Sequence, residues 1–330
     1  MVWLKGSKLE SLYSNSYPLS IFVLNSKNRL SSSKLKISKF RRSGPNAMSR
    51  VLECIFPQFF FNLGDHLIVL GDVPLRTSTK QLLLVHQPHL QDPKVNEFVG
   101  RSAVFRAMRL ITRFNSSFAD CVIVQTEAMA AGLKKSYPDW LKRNCIKVIG
   151  QPPPNWFNLS DHQRSDKLES RGLRLFYPAA GYPHKNHSIF EGLYSLDIKN
   201  IIDRVVVTVP DKEGTNSPAW IHYVGELSQE DCLLEYQRAD ALIYPSLLES
   251  YGLPLIEAMV MGLPIIVADL PYAHALCGDD AIYFDAKSNE GLIEACVILK
   301  SVSFAGDGSG GSDAVGDDAA GGDGGGARRR

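Results

Sequence analysis

Short apolar runs alternate with helix-period stretches along most of the chain. Strands are expected at 18–25, 66–70, 81–85, 121–125, 146–149, 175–177, 205–209, 241–244 and 264–268. They read as continuous apolar runs rather than alternating ones, the pattern of strands covered on both faces. Helical stretches are expected at 98–118, 127–137 and 230–238, with Thr126 placed to cap the second. Alternation of this kind argues for an α/β protein. The triplet Pro152-Pro153-Pro154 is the clearest break, a stiff linker between two halves. The expected domains are 1–150, a linker at 151–170, and 171–303. Residues 304–330 form a tail rich in Gly, Asp, Ser and Ala that cannot bury a core and is expected to be disordered.

The stretch 240–268, DALIYPSLLESYGLPLIEAMVMGLPIIVA, carries the most specific pattern. A strand at 241–244 ends at Pro245-Ser246. Leu253, Ile256 and Val260 then recur at helical spacing, with Pro254 in the first turn. Gly262 stops the helix and a second strand follows. Ligands of open parallel sheets bind beyond the carboxyl ends of the strands. Glu249, Ser250, Tyr251, Gly252 and Leu253 fall at such an end. The free N–H groups of a helix starting at Gly252 suit a phosphate. Glu257, about a turn inside the helix, suits hydroxyls on the same ligand. Two carboxylates beside a phosphate site fit a molecule that carries both a diphosphate and polyol groups.

Glu249-SYGLPLI-Glu257, then Ala258-Met259 and Gly262-Leu263-Pro264, resembles the signature of the retaining nucleotide-sugar glycosyltransferases of family four (glycosyl transferases group 1). The resemblance covers roughly 80–300 and is strongest over 175–285. It implies the GT-B architecture, two Rossmann-like domains whose parallel sheets face a central cleft, here with a short first domain. It also implies the roles. Lys185, in PAAGYPHKNHSIFEGL, matches the lysine that binds the donor diphosphate, with His184 beside it. Glu257 matches the ribose contact and Glu249 the sugar contact. His86, at the end of the strand at 81–85, matches a histidine that faces the sugar. Catalytic roles are therefore expected of Glu249, Lys185 and His86. Donor binding is expected of Glu257, Ser250, Tyr251, Gly252, Leu253 and His184. The segment 222–227 matches one whose backbone lies near the base.

Several positions depart from the pattern. Ala180 stands where an arginine is usual, Ala275 where a glutamate is common, and Gln87 where an aspartate often follows the histidine. Gly44 is the lone glycine of the first-domain loop. A closing helix that crosses back onto the first domain is not evident. These departures keep open a nucleotide-sugar-binding protein that transfers nothing. A sugar-nucleotide epimerase shares the architecture, but the ESYG motif disfavours it.

Composition adds limits. The 330 residues carry a net charge of +1, so nothing global points to nucleic acid. The six cysteines show neither metal-ligand nor redox spacing and suggest a reducing, cytoplasmic setting. No metal or cofactor is expected. The expected partners are a nucleoside-diphosphate sugar and a glycan or lipid-linked acceptor. A basic block at 27–50, without acidic residues, fits either a solvated loop or a peripheral contact with an anionic membrane at its inner face. Arg101, Arg106, Arg109 and Arg113 read as a solvated helix face.

Overall fold

The structure, a computed structural model, describes residues 21–25, 36–40, 47–59, 66–90, 102–143, 145–154, 172–193, 198, 200–210 and 218–305. These form two α/β units, each built on a six-stranded sheet with its own apolar core.

The first sheet has the order β2-β1-β3-β4-β5-β6. Its strands are β1 (Ile21–Asn25), β2 (Lys36–Phe40), β3 (His66–Val69), β4 (Lys80–Leu84), β5 (Cys121–Val124) and β6 (Cys145–Val148). The run β3 to β6 is parallel. β1, however, pairs antiparallel with both β2 and β3, so this sheet is mixed rather than wholly parallel. The reason is chain length. The connection from β1 to β2 spans only 26–35, too short for the helical crossover that parallel neighbours need. Part of the basic block at 27–50 is therefore sheet edge; most of that block lies outside the described residues.

The helices of this unit are α1 (Ala47–Ile55), α2 (Ser102–Asn115), α3 (Glu127–Ser136) and α4 (Pro138–Arg143). α2 ends at Asn115 rather than at 118, because the next residues tighten into a 3-10 turn at Ser116–Phe118; 98–101 lie outside the described residues. Thr126 caps α3 as expected, its hydroxyl accepting from Met129 N at 3.2 Å.

The second sheet is wholly parallel, in the order β12-β11-β10-β7-β8-β9. Its strands are β7 (Leu173–Tyr177), β8 (Ile202–Val207), β9 (Ile221–Tyr223), β10 (Ala241–Tyr244), β11 (Ile265–Ala268) and β12 (Ile282–Phe284). Every residue of β10 and β11 is buried, which explains their unbroken apolar runs. Around the sheet lie α5 (Gln229–Arg238), α6 (Leu253–Val260), α7 (Pro271–Cys277) and α8 (Asn289–Ala305). α8 packs on β12 and on the 3-10 helix His187–Leu193, within this second unit. It reaches Ala305, into the start of the expected tail; the remainder of the tail lies outside the described residues.

Numbered from its own first strand, the second sheet runs 3-2-1-4-5-6. The chain leaves β7 in one direction toward β8 and later returns to its other side as β10. The crevice between the ends of β7 and β10 is the topological switch point, where such sheets bind ligands.

Candidate functional site

The loops that leave β7 and β10 supply the two residues that the motif marked most strongly. Lys185 follows β7 through the 3-10 turn Pro183–Lys185, and Glu249 follows β10. The structure brings their side chains into a close ion pair. Both are largely buried, with side-chain exposures of 15% and 12%. Tyr244, the last residue of β10, donates to the same Glu249 oxygen at 2.7 Å, and Lys185 Nζ lies 3.5 Å from that hydroxyl. Glu249 thus sits at the mouth of the switch point on a floor of buried tyrosines. Tyr177 and Tyr272 pack edge-on against Tyr244 at 5.6 and 6.3 Å. Burial, followed by the charge of Glu249, pushes the hydroxyls of all three well up, so they stay protonated and able to donate.

The loop around Lys185 is fixed by its neighbours. Tyr177 donates to the Lys185 carbonyl at 2.7 Å, and Leu247 N donates to the His184 carbonyl at 2.7 Å. Asn186 adopts a left-handed φ of 57° and donates from its amide to the carbonyls of Pro245, at 3.2 Å, and Ala286, at 2.9 Å. A positive φ is tolerated best by Asn among non-glycine residues, and here the side chain ties the β7 loop to the β10 loop.

α6 begins at the same place. Gly252 is its N-cap, with φ 83° and ψ 63°, and no side chain caps the helix start. A Cβ there would meet Leu255 Cδ1 at 3.1 Å in a backbone region that L residues avoid. The partial positive charge of the helix start therefore faces the crevice edge rather than a side-chain cap. Leu253 is partly exposed at this turn.

Other residues of the expected site make contacts away from Lys185. Ser250 and Tyr251 make their hydrogen bonds to the first unit rather than toward Lys185. Tyr251 is buried, and its hydroxyl donates to the Gln151 carbonyl at 2.7 Å. Thr126 donates to the Ser250 carbonyl at 3.2 Å. Glu257 is 8% exposed, and Tyr236 donates to it at 2.6 Å. Burial raises its carboxyl above the usual glutamate range, partly opposed by that hydrogen bond. Finally, Arg106 and Arg113 of α2 are exposed as expected, but Arg109 is not simply solvated. Arg109 donates to the His89 carbonyl at 3.1 Å; Arg101 lies outside the described residues.

His86 follows β4, its Nδ1 3.2 Å from Asp72 Oδ1. Asp72, with φ 66°, also accepts from the N–H groups of His86 at 2.6 Å and Gln87 at 2.9 Å. Burial raises its carboxyl, against the pull of His86 and these donors. Nothing in the sequence marked Asp72, because its partner lies 14 positions away and only the fold joins them. The first-unit histidine nearest His184 is instead His89, the two ring centroids being 6.4 Å apart. Burial, then the charges of His184 and Arg109, lower His89 to about 4. His184 is lowered by burial and by Lys185. Both rings are thus neutral near pH 7, and both have a buried Nδ1 without a hydrogen-bond partner. Among the described residues, no group of three or more His, Cys, Asp or Glu side chains could hold a metal ion.

Residues 213–297, which take in β9 to β12 and the first half of α8 and include Glu249 and Glu257, match the family of glycosyl transferases group 1. Over 150 residues, 40% of this chain, it is 31% identical to the O-antigen chain mannosyltransferase RfbU of Salmonella typhimurium. Over 66 residues, 20% of the chain, it is 35% identical to O-antigen chain mannosyltransferase B of Escherichia coli. These matches span 41% and 17% of the two relatives' own lengths. Among solved structures, it resembles a sucrose-phosphate synthase of Thermosynechococcus elongatus, with a TM-score of 0.54 and 15% identity over 68% of this chain and 60% of that one. It also resembles S. aureus TarM, crystallised with fondaparinux, α-GlcNAc-glycerol and UDP, with a TM-score of 0.51 and 17% identity over 67% of this chain and 44% of that one. The two-unit α/β arrangement is the GT-B fold of glycosyltransferases.

Proposed function

We propose that the chain is a retaining glycosyltransferase that moves a hexose from a nucleoside-diphosphate sugar to a glycan or lipid-linked acceptor in surface-polysaccharide assembly. The observation that carries this reading is the meeting of Lys185 and Glu249 at the switch point, beside the uncapped start of α6. Lys185 and the α6 N–H groups would hold the diphosphate. Glu249, released from Lys185 as the phosphate takes over that cation, would bind the sugar hydroxyls. His86 would face the sugar from the first unit, and Glu257 the ribose. The names of the relatives favour mannose as the sugar.

The chemistry asks for a leaving group made stable. The bond between the anomeric carbon and the diphosphate oxygen breaks, and its electron pair leaves with the diphosphate. In this reading Lys185 and the aligned N–H groups would stand where that charge grows. The acceptor hydroxyl then forms the new bond on the face the diphosphate vacates and gives its proton to the departing phosphate oxygen, which is retention.

A second reading, a nucleotide-sugar-binding protein without transferase activity, is favoured by Ala180 and Ala275, which replace usual charged residues. The test is a panel of nucleoside-diphosphate hexoses with acceptor glycans and lipids, followed by product detection. Transfer with retained anomeric configuration supports the proposal. An isomerised donor would make the protein an epimerase. Tight nucleotide binding with neither product would establish the second reading.

A further inference from the structure

The outward face of α2 has the wrong composition for water. Its inner stripe, Met108, Ile111, Thr112 and Asn115, turns to the first core. On the outer side Leu110 is 55% and Phe114 73% exposed, between the exposed Arg106 and Arg113. α1 packs beside α2, and the Asn115 amide ties the two by donating to the Cys54 carbonyl at 3.1 Å. This second row exposes Leu52, Phe56 and Phe59, the two rings 6.3 Å apart. Single exposed apolar residues are ordinary, but five on adjoining segments are not.

Charge says what covers them. Glu53 is the only acidic residue in 47–59 and 102–115, and it is buried. A groove of about 240 Å³ lies between α2 and the end of α3, lined by Arg106, Arg109, Leu110, Arg113, Ser136 and Tyr137. The Tyr137 hydroxyl is buried there with no hydrogen-bond partner among the described residues. In the adjoining segment, Lys134 and Lys135 add positive charge and Asp139 offsets part of it. Apolar residues beside arginines, with a seat for an anionic group between them, are the features of a helix that lies in a lipid headgroup layer. A second copy of this chain docked two-fold on the same face would set arginines against arginines.

We propose that α1 and α2 dock the first unit onto an anionic phospholipid surface, with Leu110, Phe114, Phe56 and Phe59 entering the headgroup region and the α2 arginines taking lipid phosphates. The contact falls on 52–59 and 106–114 rather than on the basic block at 27–50. The His89 carbonyl, held by Arg109, links this face to the wall of the cleft, so an acceptor carried in the membrane would be presented near the site.

Vesicle flotation of the full chain tests this without any turnover, so its failure would leave the transferase proposal standing. Phosphatidylglycerol-containing and pure phosphatidylcholine vesicles are compared. Wild type should float with the anionic vesicles and much less with the neutral ones. Arg106→Glu with Arg113→Glu should lower the bound fraction more than about tenfold. Leu110→Ser with Phe114→Ser should abolish the binding that survives high salt. Melting temperatures of both variants should stay at the wild-type value, since all four side chains face outward. Wild type that does not float, or variants that float like wild type, would overturn the proposal. So would loss of binding in Lys36→Glu with Lys39→Glu but not in the arginine variant. A dimer dissolved by the Leu110/Phe114 variant, with flotation unchanged, would assign the face to self-association instead.

Discussion

Lys185 and Glu249 neutralise each other in a pocket where each alone would be costly. Breaking a largely buried pair strands the remaining charge, so neither side chain is free to vary silently. Glu249→Gln keeps the shape and the Tyr244 hydrogen bond but removes the charge. In the proposed role it contacts a sugar that becomes positive in the transition state. Turnover at saturating donor should fall by about 10²-fold or more, while nucleoside-diphosphate affinity changes little. Steady-state kinetics beside calorimetric nucleotide titration checks this; equal kinetics for variant and wild type would remove Glu249 from the mechanism. Glu257 belongs to a different class. Burial raises its folded pKa above the unfolded value near 4.5, so the folded form holds its proton more tightly. Its stabilising contribution is full below that unfolded value and is lost as pH rises through the raised folded pKa. Glu257→Gln cannot lose a proton. The melting temperature of the variant relative to wild type should therefore rise between pH 4 and pH 8. A difference that is flat in pH would mean that folding does not raise the carboxyl's pKa.

At the scale of elements, the loop from β10 to α6 does two jobs. One side meets the switch point, and the other is tied to the first unit through Tyr251 and Ser250. Tyr251 also packs onto Gly150, where an added Cβ would come within 2.9 Å of its hydroxyl. The donor loop is thereby coupled to how the two units meet. Tyr251→Phe deletes one hydrogen bond, a net loss of about 1 kcal/mol. The expected result is a fall in kcat/KM of about fivefold, since 1.4 kcal/mol is tenfold, with a melting temperature lowered by no more than about 2–4 °C. An unchanged kcat/KM would show that the tie is incidental. Gly252→Ala acts on the fold itself. An L residue at φ 83° costs about 1–2 kcal/mol, and the Cβ presses on Leu255. Urea denaturation should show that loss, and nucleoside-diphosphate affinity should fall with it as the helix start shifts.

For the whole molecule, the two cores are separate and each sheet is complete within its own unit. The units touch where α3 meets α7 and through the Thr126 and Tyr251 hydrogen bonds. No helix among the described residues is long and apolar enough to cross a membrane, so contact with lipid would be at the surface, through α1 and α2. The sequence by itself determined the α/β class, the α3 cap at Thr126 and the strand–helix–strand unit around Glu249. Those are local facts, written in continuous apolar runs, in a hydroxyl before a helix and in a glycine at its start. Tertiary structure decided what depends on distant partners. It set β1 antiparallel, because 26–35 is too short to cross over. It joined Asp72 to His86 and Lys185 to Glu249, turned Tyr251 toward Gln151, and closed Glu257 under Tyr236. It also left Leu110 and Phe114 outside. Helical periodicity places such residues on one face of a helix but does not say whether anything packs against that face.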